Sequence, residues 1–282
     1  LTDAGNAGGG TVYLPAGDYR VSTHLQVPAG VELRGSFDNP HHGMVMNGTV
    51  LLAYENQGNE AGTAFITLAQ NSGVRGLTIF YPEQDFTDIQ AYPWTIQAQG
   101  DGSWVKYLAF VNSYKAIDMD THSPDQYQVV LNNGTTLREG LRVGKGSALD
   151  LGGWVEDNHW NPTNWLFTSY NGTPSADSDT LFEDLLASST GFVIGSANNA
   201  QVFQNFTILN HVGMNLIGQT EGNCRNCVVF SNGVDASKYG VVIDSSDDIV
   251  FINPQTATEL SDFVTSSTFS GTLKVFNGGK WS

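Results

Sequence analysis

The sequence predicts an all-β protein: a single-stranded, right-handed parallel β-helix, wound as a solenoid of 22–27-residue coils. Three observations carry this expectation. The apolar runs are short, rich in Val, Ile, Leu and Phe, and often alternate with period two, which is a strand signal. Gly, Asn, Ser and Thr interrupt nearly every run, and glycine alone supplies 32 of 282 residues, so no good long helix is expected. Similar strand-like segments also return at a nearly constant step.

The recurring segments begin at Trp94, Ile117, Leu141, Trp165, Phe192, Met214 and Val241. Each flanks a variable central residue with large apolar ones. Stacked, they give an outward column of Thr95, Asp118, Arg142, Leu166, Val193, Asn215 and Val242. A second column two places on holds Gln97, Asp120, Gly144, Thr168, Gly195, Ile217 and Asp244. Ala116, Gly140, Gly191, Gly213 and Gly240 precede five of the segments, and a small residue suits a tight bend there. A second strand family includes Thr78, Ala109, Val129, Thr207, Val229 and Val250. Asn often follows it, at Asn112, Asn132, Asn210, Asn232 and Asn253, as in turns that need the left-handed conformation. The whole chain, 1–282, reads as one domain.

Acids outnumber bases 28 to 12, a net charge of −16, which speaks against nucleic acid as a partner. No apolar run approaches the roughly 20 residues of a membrane span. Cys224 and Cys227 lack the second ligand pair a zinc site needs and read as two thiols or a local disulfide. His41-His42 makes a poor metal site, because adjacent side chains diverge. Asn47, Asn133, Asn171 and Asn205 open Asn-x-Thr sequons, glycan acceptors in a eukaryotic secretory host.

The run Gly8-Gly9-Gly10-Thr11-Val12-Tyr13-Leu14-Pro15-Ala16-Gly17-Asp18-Tyr19 and its continuation Leu25 to Gly35 resemble the opening of the pectate-lyase-like superfamily. Gly73-Val74-Arg75-Gly76-Leu77-Thr78-Ile79 resembles its later coils. The resemblance implies a helical cap before the first coil, with Leu1 to Ala7 as its tail and the cap incomplete. It also implies action on polysaccharide, outside the cell or at its surface. Of the polygalacturonase-like pattern in this superfamily only Asp247-Asp248 is matched, and no Gly-His-Gly occurs.

Asp118 and Asp120 are the sharpest candidates. Two residues apart on one strand, they would project from one face roughly 6.5–7 Å apart, overlapping the roughly 6.5–9.5 Å of inverting glycosidases. Arg142 would lie one coil away and favour ionised Asp118, leaving Asp120 as the acid, with His122 assisting. Tyr92, Tyr114, His159 and Trp160 are candidate sugar contacts. Asp244, Asp247 and Asp248 on one turn are a candidate Ca²⁺ site, although no cofactor is required. The expected function is a glycoside hydrolase acting on a glycan, a lyase being the weaker enzymatic reading. The alternative is a non-catalytic glycan-binding, adhesin or assembly subunit that forms homo-oligomers or stacks end to end.

Overall fold

The computed structural model describes residues 1–37, 48–144, 151–166, 168, 178–195, 199–217, 228–244, 249–267 and 269–280. Among these residues, two sheets of ten and fifteen strands hold almost all of the regular structure, and every pairing between named strands is parallel. The ten-stranded sheet, here sheet A, runs Gly10–Tyr13, Val31–Arg34, Gly73–Arg75, Trp104–Lys106, Gln128–Val130, Trp154–Glu156, Gln201–Phe203, Val228–Phe230, Ile249–Ile252 and Leu273–Phe276. From Val31–Arg34 to Ile249–Ile252 one central residue of each strand faces inward. Leu33, Val74, Val105, Val129, Val155, Val202, Val229 and Phe251 stack in register and are nearly inaccessible. Burying each is worth about 1.5–3 kcal/mol, and β-branched valine suits a strand packed against its neighbours.

From Gly73–Arg75 to Ile249–Ile252, most sheet A strands lead through a short corner into sheet B. Corner residues Tyr107, Leu131, Asp157, Gln204 and Ser231 have φ between 50° and 57°. The residue after each of the last four is a buried asparagine, and these form a ladder. The Asn158 side-chain oxygen accepts from the Asn132 N–H at 3.3 Å and from Asn132 Nδ2 at 2.8 Å. Asn205 serves Asn158 in the same way, and Asn232 serves Asn205. Each amide also donates to a sheet A carbonyl, at Val105, Val129, Val155 and Val202. At Asn132 and Asn232 the asparagine is therefore not the left-handed residue expected; the residue before it is. Asn253 does adopt that conformation, with φ 57°, whereas Asn112 lies within a strand and clasps the Tyr81 backbone through both side-chain atoms.

Sheet B strands are long and bent in the middle, as in Ala109–Met119, Asn133–Val143 and Gly233–Asp244. Beyond the bend, Ile66, Ile96, Ile117, Leu141, Phe192, Met214 and Val241 stack inward. The predicted stack, from Trp94 to Val241, is right except at two points. Its first segment is two residues out, because Ile96 rather than Trp94 faces Ile117. Trp165 is absent from it, because Phe192 pairs directly with Leu141. The apolar Trp165-Leu166 pair belongs instead to the helix Thr163–Leu166. The second strand family also divides: Val129, Val229 and Val250 are in sheet A, while Thr78, Ala109 and Thr207 are in sheet B.

The helix Ser178–Ser188 corrects the expectation of no good helix, with Leu181 and Leu185 one turn apart on its buried face. It packs with Trp165, Phe80, Phe86, Val111 and Leu137 in a second apolar cluster outside the main core. The column Gly140, Gly191, Gly213, Gly240 is small for crowding rather than turn freedom. A Cβ on Gly191 would lie 2.7 Å from the Gly213 carbonyl oxygen. A short helix, Thr2–Asn6, precedes the first strand. No described helix is long and apolar enough to cross a membrane.

Candidate functional site

The outer face of sheet B carries two polar rows. One is Trp94, Lys115, Glu139 and Thr190; the other is Gln97, Asp118, Arg142 and Val193. Asp118 and Arg142 are thus register partners, as the stacked sequence anticipates.

Asp118 and Asp120 do not project side by side. The strand ends at Met119, and the Asp118 carboxylate folds over the following turn. Its Oδ1 accepts the N–H groups of Asp120 (2.9 Å) and Thr121 (3.0 Å), while Oδ2 accepts Gln97 Nε2 (2.8 Å). Asp118 is 0% exposed and Asp120 5%. A carboxylate at a strand end, followed by two unpaired backbone donors, closes such an Asx turn by local chemistry alone.

Gln97 links this turn to His122, whose Nε2 lies 3.2 Å from Gln97 Oε1. Because the Gln97 amide nitrogen donates to Asp118, its oxygen is the acceptor, so His122 Nε2 carries the proton and neutral His122 presents Nδ1 as its basic atom. Arg142 makes a paired contact with Glu139, through Nε (2.6 Å) and Nη2 (2.9 Å), and reaches Asp120 at 3.9 Å. The Glu139 hydrogen bonds hold the guanidinium pKa above its usual value, against desolvation, with Asp120 and Asp118 adding to the effect. Lys115 pairs with Glu60 and lies 5.7 Å from the Trp94 ring centre.

The expected sugar contacts are elsewhere. Trp160 is in the main core with its ring between Phe110 and Phe192, and Tyr92 is in the interior against Tyr81, so neither is an exposed platform. His159 is buried against Phe206. Tyr114 is half-buried under Arg138. Large rings are drawn inward by the area they bury, which corrects the reading of Tyr92, His159 and Trp160 as surface contacts and leaves Tyr114 partly exposed. Gln97, Glu139, Lys115 and Trp94 were missed as site residues; shifting the first coil by two places Gln97 beside Asp118 and Trp94 beside Lys115, whereas Glu139 follows from its place three residues before Arg142.

Asp244 is exposed and accepts Ser266 Oγ at 2.6 Å. Asp247 and Asp248 lie outside the described residues, as do His41, His42, Asn47, Asn171, Cys224 and Cys227. Among the described residues no group of three or more metal-ligating side chains is gathered. Asn133 and Asn205 are each 1% exposed, which removes them as glycan acceptors in the folded chain.

No family model and no curated protein matches this sequence. Among solved structures, the chain is similar to ORF18 of Geobacillus virus E2 at 9% identity and a TM-score of 0.49, covering 96% of this chain and 54% of that one. This chain thus spans about half the length of that match. It is also similar to the A-module of the Azotobacter vinelandii mannuronan C-5 epimerase AlgE6, at 14% identity and TM-score 0.31, covering 100% and 93% of the two chains. The Streptococcus pneumoniae surface protein and adhesin PfbA follows at 12% and 0.33, covering 97% and 94%. The fold assignment rests on the strand register above.

Proposed function

We propose that the coils form one right-handed parallel β-helix, the hand favoured for parallel crossovers, that acts on polysaccharide by hydrolysis at the outer face of sheet B. Its place of action in this reading is outside the cell or at its surface, where such polymers lie. The observation that supports this is the relay from Asp118 through Gln97 to His122, in which one buried acid orients both an imidazole and the turn bearing Asp120. An oriented base beside a second acid is the arrangement that proton transfer to a leaving oxygen requires. Asp120 and His122 are then the proton-transferring pair. Asp118 and Gln97 are positioning residues, and Arg142, locked to Glu139, sets the charge beside Asp120.

The test is release of new reducing ends from a polysaccharide panel. Asp120→Asn and His122→Ala are each expected to lower it at least about a hundredfold, with unchanged circular dichroism. Gln97→Leu is expected to lower kcat more than it changes KM. Full activity in both the Asp120 and His122 variants would remove this site. Products with ultraviolet absorbance from a new double bond would replace hydrolysis with elimination.

A second reading, non-catalytic glycan binding, is favoured by the near-complete burial of both Asp118 and Asp120. It predicts saturable binding with no product of either kind.

A further inference from the structure

The outer face of sheet A carries a feature that neither the relay nor the core uses. One row of that face, in register along the coil axis, reads Trp104, Gln128, Trp154 and Gln201. Indole and amide alternate on successive coils, so the two rings stand two rungs apart, about 9.6 Å. Trp104 lies flat on the sheet because Gly73 beneath it has no side chain: a Cβ there would be 2.4 Å from Trp104 Cδ2. Trp154 is 45% exposed and held edge-on by Phe203 at 4.8 Å.

Both indole N–H groups are already engaged within the face. Trp104 Nε1 donates to Glu32 at 3.3 Å and Trp154 Nε1 to Glu156 at 2.8 Å. The rings are thereby fixed in orientation, and what they offer outward is apolar π surface. Around Trp154 a cleft of about 260 Å³ is lined, among the described residues, by Gln126, Gln128, Asn199, Gln201 and Leu151 and by no acidic or basic side chain. Lys106 Nζ donates to the Gln128 side-chain oxygen, which turns the Gln128 amide N–H₂ toward a ligand.

We propose that this face is a binding site for a neutral, extended glycan lying along the coil axis, its sugar faces stacked on Trp104 and Trp154 and its hydroxyls bonded to the intervening amides. Flat aromatic faces take the C–H surface of a sugar ring, and amides both donate to and accept from hydroxyls. Glu32 and Glu156 beside the rings, on a chain of net charge −16, disfavour a uronate polymer. From Trp104 to Gln201 the alternating amides distinguish the row from a continuous apolar strip suited to a protein partner, before it passes to the exposed Val228. The inference stands apart from the sheet B reading, and its readout is binding rather than turnover.

The experiment is titration calorimetry and tryptophan fluorescence with β-1,4-linked hexasaccharides of glucose, xylose and mannose, and a galacturonate hexasaccharide as the anionic control. Saturable binding of at least one neutral probe, and at least tenfold weaker binding in Trp104→Ala and in Trp154→Ala, is expected. Trp154→Leu, which keeps apolar volume without the ring, serves the same purpose should the alanine variant fail to fold. The proposal is overturned if no neutral probe binds, if the galacturonate binds as well as the neutral chains, or if the tryptophan variants bind like the parent. It is equally overturned if the parent sediments as a dimer that Trp154→Ala dissociates and no glycan binds, since the occupant is then a second copy.

Discussion

The corner from sheet A into sheet B and the bend in the middle of sheet B do the same geometric job by different means. At the corner, Asn132, Asn158, Asn205 and Asn232 pair backbone and side-chain polar atoms from coil to coil. The corner keeps one length across those coils: one left-handed residue, then the asparagine. At the bend the polar pairing is shorter, with Ser189 Oγ donating to Asn210 Oδ1 and the Asn210 N–H to Ser237 Oγ, and three coils leave the stack. One departs between Ala53 and Ile66; the other two, between Phe80 and Trp94 and between Trp160 and Thr190, likewise return in register. The last two excursions meet outside the uninterrupted strands, where the Phe86 and Trp165 rings lie 4.0 Å apart over Val111 and Leu137. The joint closed by the four-asparagine ladder keeps its length. One closed by apolar packing tolerates about thirty inserted residues, since loop closure costs grow slowly with length.

The sharpest way to break this contrast is Asn158→Ala. It strips the partner from the Asn132 N–H and Nδ2 and leaves the Val129 carbonyl and the Asn205 oxygen short of a donor, all in the interior. Buried orphans cost about 1–3 kcal/mol each where no water reaches them, so a loss of about 3–4 kcal/mol is expected from denaturant unfolding. A loss under about 1 kcal/mol would mean that the ladder is incidental to the fixed corner.

Much of the fold was legible because stacked coils write their period into the sequence. The run from Ile117 to Val241, apart from Trp165, follows from alternation and a step near two dozen residues. The Asp118–Arg142 pairing followed from the same step. What escaped was whatever local chemistry decides against the period. Trp165 mimics a strand but belongs to a helix in an excursion, and excursions carry no period. Asp118 alternates as an outward residue but is captured by the N–H groups of its own turn. Trp154 and Trp160 both sit on short strands, and only the stacking decides that Trp154 opens its strand outward while both residues of His159–Trp160 are buried.

A smaller effect probes the root of the second excursion. Tyr81 is wholly buried, with Oη 3.0 Å from Thr95 Oγ1, and burial raises its pKa well above the ordinary tyrosine value. Tyr92 beside it is raised chiefly by burial as well, with Glu83 adding. Both stay protonated in the folded chain when the unfolded chain begins to ionise near pH 10. Their contribution is complete below that pH and is lost as pH climbs toward the raised folded values. One unit above the unfolded pKa, each should have withdrawn about 1.4 kcal/mol. Tyr92→Phe removes one ionisation and should shift the alkaline unfolding midpoint upward. A midpoint unmoved by both Tyr81→Phe and Tyr92→Phe would place the alkaline weak point elsewhere.

The smallest effect concerns the clamp on the third excursion. Arg138 leaves the strand Asn133–Val143 and grips Asp184 on the helix Ser178–Ser188, through Nη1 at 2.6 Å and Nη2 at 3.0 Å. Its guanidinium also lies 5.4 Å from the Tyr114 ring centre. Both partners are about a quarter exposed, so solvent and salt screen the pair, and at most about 1 kcal/mol is expected from it. If apolar packing closes this joint, Arg138→Ala should cost under about 1 kcal/mol, whereas Leu185→Ala, beneath the same helix, should cost about 2–5 kcal/mol. Raising salt from 0.05 to 0.5 M, estimates chosen to span strong to weak screening, should shrink the Arg138 effect and leave the Leu185 effect intact. The reverse ranking would make the excursion a polar joint after all, and the contrast with the asparagine corner would then lie in the number of paired atoms rather than in their kind.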